Sequence, residues 1–217
     1  IYLFFGGFLI ATAIQKWNLH KRIALFVLEN TGSNGASLIL GFMITAAVIS
    51  MWVMNTATTI MLLPIGLAVI TVVKETVRGL SPKETENFQL ALLLGIAYGA
   101  TIGGMSTLIG TGPNGMLAAF MADNYDLDIS FVDWMKVGVP LSVVMLPACW
   151  VILTRIIYPV KFQTSQETTD LLSSMKNDLG DLKGPEMKIL IVFVLTALAW
   201  MFRTVLDDIP FLNGLSD

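Results

Sequence analysis

A run of 44 residues without a charged side chain extends from 30 to 73, and a polar cluster at 55–59 interrupts it near its centre. A second charge-free run covers 87–122 and contains a loop rich in glycine and threonine at 103–114. The hydrocarbon core of a bilayer is crossed by about 20 helical residues. Each run is therefore long enough to enter a membrane, and each places helix-breaking residues at mid-depth.

The composition favours an integral membrane protein over a soluble one. Hydrophobic residues make up 55% of the chain and charged residues 13%, whereas soluble domains contain about 25% charged residues. The net charge of −3 is too small to indicate a nucleic-acid partner. Because Cys149 is the only cysteine, the chain can form neither an internal disulfide nor a cysteine metal cluster.

The first charge-free run predicts a re-entrant helical hairpin over 37–73. Two apolar arms, 37–53 and 57–73, are joined by three residues that carry no charge and no Gly, Pro or Asp. A turn that reached water would be expected to contain such residues. Irregular backbone inside a membrane is tolerated where it lines a cavity or is buried in protein, so the tip is expected within the bilayer.

The rest of the chain divides into segments with different patterns. Ser81, Pro82 and Glu84 form a capping-box signal at the start of a helix that breaks within the glycine-rich loop and restarts at Pro113. We expect an all-α fold with these segments: the end of a transmembrane helix and an interfacial helix at 1–29, a broken helix at 86–122, a transmembrane helix at 137–160, a cytosolic connection at 161–186, and a last transmembrane helix within 187–217.

The distribution of charge predicts the orientation of this multi-pass protein. In this topology 11 of the 13 Lys and Arg residues lie on one side, and the other side is acidic. The positive-inside rule therefore places the base of the hairpin on the cytoplasmic face of a cell membrane. His20 falls in a basic run and is expected at the membrane interface rather than as a metal ligand.

Both breaks expose the ends of helices, which carry partial charges. Unpaired carbonyls near Met54 and near Gly103 and Gly104 suit Na⁺, which prefers oxygen ligands. Unpaired N–H groups just after Asn55 and Thr56, which either of these side chains or an anion could cap, and those at Asn114 and Gly115 suit an anion. If the two breaks face each other, a cation site lies beside an anion site, and neither contains a lysine or an arginine.

Several motifs resemble one family of membrane proteins. Residues 5–10 and 16–22 resemble an early helix and an interfacial helix of the divalent anion/sodium symporters, the DASS or INDY-like family. The sequence Met-Trp-Val-Met-Asn-Thr-Ala-Thr at 51–58 resembles the hairpin tip of that family. Residues 102–104 and 107–114 resemble its broken-helix loop.

The resemblance implies a homodimeric carrier that moves di- or tricarboxylates, such as succinate, malate, fumarate or citrate, together with Na⁺ by an elevator motion. It implies that substrate contacts and loop shaping involve Asn55, Thr56, Thr107, Thr111, Pro113 and Asn114. It implies that sodium is held by side-chain or backbone oxygens of Ser50, Met54, Asn55, Gly103 and Gly104.

The chain departs from the family pattern in two respects. Met54 stands where the family has serine, so the tip lacks one hydroxyl group. The family has two inverted repeats with a tip motif in each, and this chain has one. We therefore expect 1–160 to be the first repeat and 187–217 the start of the next, with the missing C-terminal repeat as the partner that completes the site. The chain alone is expected not to transport.

Three alternatives remain open at this level. The same fold could carry another divalent anion, such as sulfate, by proton coupling or exchange, but proton coupling calls for a membrane-embedded Asp or Glu, and neither charge-free run has one. A membrane enzyme would need a nucleophile and a base, or a metal cluster, and Cys149 has no evident base nearby. An inactive half-domain or scaffold would follow if the second repeat never existed.

Overall fold

The computed structural model describes residues 2–31, 34–182 and 184–202, and within them it contains helices and no named strand. This confirms the all-α expectation. The elements are α1 (Tyr2–Lys16), α2 (Leu19–Glu29), α3 (Gly35–Ser50), α4 (Asn55–Thr76), α5 (Pro82–Gly104), α6 (Gly112–Tyr125), α7 (Phe131–Val151), a π-helical turn (Ile152–Ile157), α8 (Gln166–Leu179) and α9 (Gly184–Met201).

Four of these helices are long and apolar enough to cross a membrane. They are α4, α5, α9 and the continuous span Phe131–Ile157, which combines α7 with the π-helical turn. Helix α3 is apolar but shorter. The described part of the chain therefore has the composition and helix lengths of a multi-pass membrane protein, as its sequence predicts.

Glycines on one face of α5 let α3 approach it closely. A Cβ atom at position 99 would lie 2.6 Å from the carbonyl oxygen of Met43, and one at position 103 would lie 2.2 Å from that of Ala47. Small residues allow such contact between membrane helices, and the resulting van der Waals packing stabilises the pair. Helices α3 and α5 thus form the rigid centre of the fold, and each leads directly into one of the two breaks.

The main hydrophobic core surrounds this helix pair. It joins residues of α2, α3, α4 and α5, and its largest fully buried side chains include Phe42, Phe88 and Leu62. The core also includes Leu153 from the π-helical turn and Leu172 from α8. The two arms of the expected hairpin, α3 and α4, therefore both pack against α5 rather than only against each other.

The capping residues explain where two helices begin. Ser81 caps α5 with its hydroxyl and forms the reciprocal capping box with Glu84, as its sequence predicts. Ser130 accepts a hydrogen bond from the N–H of Asp133 at 3.2 Å and starts α7 at Phe131. Helix α7 consequently begins six residues before the expected boundary at 137, inside what the sequence indicated as an acidic segment.

The expected polar connection 161–186 contains a helix that the sequence did not predict. Helix α8 packs on α2 and α4, and Ser165 just before it lies 2.6 Å from Thr76, hydroxyl oxygen to hydroxyl oxygen. Beyond its end, Arg22 donates to the carbonyl of Gly180 at 2.9 Å and to the carboxylate of Glu186 at 3.0 Å. The connection is therefore an ordered part of the fold.

The ring of His20 is buried, with Nδ1 lying 3.3 Å from the carbonyl oxygen of Ile14. That His20 lies at the membrane interface stays a prediction. The expected segment 187–217 lies only partly in the described residues. Its part from 203 onward falls outside them.

Candidate functional site

The two breaks lie side by side. Residues 51–54 connect α3 to α4, and residues 105–111 connect α5 to α6. A Cβ atom at Gly104 would lie 2.1 Å from the amide oxygen of Asn55 and 3.0 Å from the Cγ2 atom of Thr111. The last residue of α5 is therefore flanked by the starts of both α4 and α6, and a glycine is needed there because any side chain would collide.

A group of oxygen atoms converges at this point. The hydroxyl of Ser50, which is fully buried, donates to the amide oxygen of Asn55 at 2.8 Å and lies 3.3 Å from the carbonyl oxygen of Val53. The amide oxygen of Asn55 in turn lies against Gly104. Ser50 and Asn55 thus bring a hydroxyl and an amide oxygen together beside the backbone of Gly104 and the carbonyl of Val53, without any formal charge.

The break after α5 is held in shape by its own side chains. The amide nitrogen of Asn114 donates to the carbonyl oxygens of Gly104 at 2.9 Å and Thr107 at 2.8 Å. The hydroxyl of Thr107 donates to the carbonyl of Met51, and it accepts from the N–H of Gly110 at 3.1 Å. Thr107 therefore joins the two breaks directly, and Asn114 closes the loop between α5 and α6.

Both helices that leave the breaks begin without a side-chain cap. Met54 is the N-cap of α4 and Thr111 is the N-cap of α6, and neither side chain accepts a hydrogen bond from its helix. Of the two groups that could satisfy the start of α4, Asn55 and Thr56 do not cap it, because Asn55 is already helical and its side chain turns back to Ser50. The first N–H groups of α4 and that of Gly112 are therefore without a side-chain cap, whereas Pro113 has no N–H and that of Asn114 bonds the carbonyl of Thr111 at 3.2 Å.

Some expected residues lie beside this centre rather than in it. The carbonyl of Gly103 accepts from the N–H of Ser106 at 2.9 Å, and the glycine itself serves the contact with Ala47. Thr56 and Pro113 are exposed at the two helix starts. These positions leave Thr56 and Pro113 accessible to a ligand, whereas Gly103 acts mainly in packing.

Met54 points away from the oxygen group. Its side chain is 49% exposed and its carbonyl accepts the N–H of Thr58 at 3.0 Å, which is the first hydrogen bond of α4. It lines a largely apolar cavity of about 560 Å³ between α1 and the two breaks, together with Phe8 and Ile109. Met54, which stands where the family has serine, therefore borders an apolar cavity, and its backbone carbonyl already accepts a hydrogen bond within α4.

The sequence missed the residues of α7 that support the second break. The indole nitrogen of Trp134 donates to the carbonyl of Met105 at 3.0 Å. Ser142 donates to the carbonyl of Ile102 at 2.8 Å and accepts from the hydroxyl of Ser106 at 2.8 Å. A buried serine within an apolar helix is the one signal that could have indicated this role.

Trp52 of the first break sits among aromatic side chains. Its ring lies 4.9 Å from that of Phe193 in an edge-to-face arrangement and 6.0 Å from that of Phe131. Trp200 lies 6.5 Å away and is nearly parallel to it. Such contacts orient rings as well as bury them, so aromatic side chains of α7 and α9 hold Trp52 of the first break in place.

The chemistry of the donors suits a hard monovalent cation. Among the described residues no three His, Cys, Asp or Glu side chains cluster as a metal site would require. A cation at the breaks would therefore be held by neutral hydroxyl, amide and carbonyl oxygens, which are ligands that a hard cation prefers. The open helix starts beside them offer N–H groups to an anion.

Sequence comparison identifies the family of this chain and several relatives. A family model described as the sodium:sulfate symporter transmembrane region matches residues 1–212. The chain is 39% identical over 207 residues to the "Sodium-dependent dicarboxylate transporter SdcS" of Staphylococcus saprophyticus, covering 95% of this chain and 40% of that protein. It is 35% identical over 209 residues to the protein of the same name from Staphylococcus aureus strain USA300, with the same coverage. The chain thus spans about two fifths of the length of these relatives, and it belongs to the sodium:sulfate symporter transmembrane family.

Proposed function

We propose that the complete protein is a secondary transporter that carries dicarboxylates together with Na⁺. The observation that carries this proposal is the meeting of two uncapped helix starts with the neutral oxygen group around Gly104. The name of the relatives, sodium-dependent dicarboxylate transporter, supports the same substrate class. We expect four-carbon diacids such as succinate, malate and fumarate as substrates, with citrate as the larger tricarboxylate to be compared.

The cation half of the proposed site is built on Ser50, Asn55 and Gly104. The hydroxyl of Ser50 and the amide oxygen of Asn55 are in hydrogen-bond contact beside the backbone of Gly104, and each of the three oxygens retains a lone pair beyond the bonds described above. Binding of Na⁺ would replace the hydrogen bond between Ser50 and Asn55 with coordination by both oxygens. Sodium is a co-substrate in this scheme, and its charge would then favour a carboxylate next to it.

The anion half uses the starts of α4 and α6. The N–H groups there lack a side-chain acceptor, and the partial positive charge of each helix end favours a carboxylate. Thr56 is exposed at the first start and can add a hydroxyl donor. Because neither charge-free run contains a lysine or arginine, the affinity for the anion would depend on bound Na⁺. This dependence would couple transport of the anion to transport of Na⁺.

The length of α3 supports a tip that lies inside the bilayer, although the other arm, α4, is long enough to cross it. Helix α3 has 16 residues and is about 24 Å long, which is shorter than the roughly 30 Å hydrocarbon core. We propose that α3 and α4 form a re-entrant hairpin with its base on the cytoplasmic face of a cell membrane. The breaks would then meet near mid-depth, where a carrier places its site.

The remaining parts of the scheme rest on the longer relatives. We propose that residues 1–160 form one repeat of an inverted pair, that 187–217 begin the next, and that the rest of the protein completes the carboxylate site and a second sodium site. An elevator motion in a homodimer would then move the site across the membrane. Thr107, Thr111, Pro113 and Asn114 keep the second break in shape for binding.

Uptake of labelled succinate and citrate by proteoliposomes that contain the complete protein tests the proposal. An inward Na⁺ gradient should stimulate uptake of succinate, and a proton gradient alone should not. Asn55→Ala should remove both Na⁺ dependence and uptake, whereas Asn124→Ala, an exposed asparagine on α6, should leave both unchanged. Uptake that is equal with and without Na⁺, or full activity of Asn55→Ala, would refute this assignment.

Ser50→Ala gives a graded test of the cation half. Removing the hydroxyl takes away one oxygen and should raise the Na⁺ concentration needed for half-maximal uptake by about tenfold, equivalent to ~1.4 kcal/mol. The maximal rate at saturating Na⁺ should change less than the Na⁺ requirement. An unchanged Na⁺ requirement would exclude Ser50 from the cation site.

A further inference from the structure

A second cavity lies at the end of α3 opposite the breaks, and we call it the basal cavity. Its volume is about 310 Å³. Three segments enclose it: the start of α3, the π-helical turn after α7, and the extended residues 160–163. The N–H of Gly35 donates to the carbonyl of Phe162 at 3.0 Å, and Asn34 pairs with Gln163 in an antiparallel bridge. The cavity is therefore part of an ordered structure.

Two cations line the basal cavity, and no carboxylate does. They are Arg155 and Lys161, and the other lining groups are apolar or neutral, among them Asn34 and Ser37. The ion pairs formed within the described residues involve other cations, so neither Arg155 nor Lys161 is neutralised there by a carboxylate. Two uncompensated positive charges in one concave site attract an anion.

The guanidinium of Arg155 is held in place by its neighbours. It lies 5.7 Å from the centre of the Trp150 ring, within the range of a cation–π contact. Trp150 is itself fixed, because its indole nitrogen donates to the carbonyl of Ala36 at 2.8 Å. Arg155 also sits in a π-helical turn, a feature that is frequent at functional sites. The ring contact thus limits the orientations of the exposed guanidinium of Arg155.

The π-helical turn that lines the cavity also carries exposed apolar side chains. Ile152 and Ile156, on the same turn as Arg155, are 45% and 70% exposed. A ligand with an anionic head and hydrocarbon chains would place its head against Arg155 and Lys161 and its chains along these isoleucines. Arginine binds phosphate oxygens in a forked geometry, and basic pockets at the ends of membrane helices bind lipid head groups.

We propose that the basal cavity binds a phosphate group, which an anionic lipid presents from the membrane. The cavity is separated from Ser50 by the length of α3, about 24 Å for its 16 residues. The transported anion therefore does not account for it. A lipid bound there joins the base of α3 to the end of α7 and stabilises the contact between the hairpin and the helix that supports the second break.

Thermal unfolding of the complete protein in detergent tests this site with three probes. Dioctanoyl phosphatidic acid has the phosphate and the chains, dioctanoylglycerol has the chains alone, and inorganic phosphate has the anion alone. Phosphatidic acid should raise Tm in a saturable way, and the R155Q/K161Q variant should bind it at least tenfold more weakly. Dioctanoylglycerol should give no saturable shift.

The matched control is R78Q/K83Q, which removes the same charge from exposed residues that do not line the cavity. It should bind phosphatidic acid within twofold of the unchanged protein. If R155Q/K161Q does not give a monodisperse protein, K161E replaces it, because the Lys161 side chain is exposed. If inorganic phosphate binds as tightly as phosphatidic acid, the phosphate site is supported, and free phosphate rather than a lipid is its ligand. Equal binding of phosphatidic acid by the cavity variant, or of dioctanoylglycerol by the unchanged protein, overturns the proposal.

Discussion

The side-chain amide of Asn114 donates to the carbonyl oxygen of Gly104 at 2.9 Å and so joins the start of α6 to the end of α5 across the break. A second bond from the same nitrogen, to the carbonyl of Thr107 at 2.8 Å, fixes the loop between them. The carbonyl of Gly104 would otherwise be unpaired at the end of α5, whereas that of Thr107 also accepts from the N–H of Gly110 at 3.3 Å. The buried amide of Asn114 is therefore the group that ties the start of α6 to the end of α5.

Asn114→Asp should destabilise the protein by about 3 kcal/mol, because it replaces a donor to two buried carbonyls with an acceptor of nearly the same shape. The change should appear as a lower Tm in detergent. Asn124→Asp is the matched control, since Asn124 lies on the same helix, makes one bond to the carbonyl of Phe120 and is exposed. Equal stability of the two variants would show that Asn114 does not hold the break.

Gly99→Ala should lower stability by about 3 kcal/mol, because the added Cβ would lie 2.6 Å from the carbonyl oxygen of Met43 and would force α3 away from α5. Gly66→Ala is the control, as its Cβ would meet only the flexible end of Ile96 at 3.1 Å. Thermal unfolding of both variants compares them. A Gly99→Ala variant as stable as Gly66→Ala would contradict the close packing of α3 and α5.

The positions of the breaks could be predicted from the sequence because charge and helix-breaking residues act locally. The sequence predicted an uncharged connection between α3 and α4 at 54–56. In the structure the connection is 51–54, which overlaps the predicted one at a single residue. The start of α5 at Pro82 followed from Ser81 and Glu84 in the same way. These features depend on residues within a few positions of each other.

Features that depend on distant contacts could not be predicted in this way. Nothing near Ser142 in the sequence indicates that its hydroxyl meets the carbonyl of Ile102, 40 residues earlier. By its residue type and position Asn55 could have capped its own helix; instead its oxygen accepts from Ser50, a contact that depends on how the turn brings the two arms together. Helix α8 was missed because its mean polarity hides the apolar face that packs on α2 and α4.

Met54→Ser should raise stability by about 1 kcal/mol, because serine is a favourable N-cap and methionine offers α4 no acceptor. The added hydroxyl should also lower the KM for succinate uptake about fivefold, equivalent to ~1 kcal/mol, by placing a donor at the open start of α4. Met116→Ser, on the exposed face of α6, is the control and should change neither Tm nor KM. A higher KM for Met54→Ser would show that the apolar cavity, rather than the missing hydroxyl, determines affinity.

His20 should make stability depend on pH on the acid side of neutrality. Burial lowers the pKa of its imidazole from the ordinary 6.5, the nearby charge of Lys21 lowers the pKa further, and the hydrogen bond to Ile14 opposes both. The unfolded chain therefore takes up a proton before the folded one does. The contribution of neutral His20 to the free energy of unfolding is fully present above pH 6.5, and it is lost as the pH falls from there through the folded-state pKa. Tm measured between pH 7.5 and 5 should fall more steeply for the unchanged protein than for His20→Gln, which has no titrating ring, and parallel curves would exclude His20 as the cause.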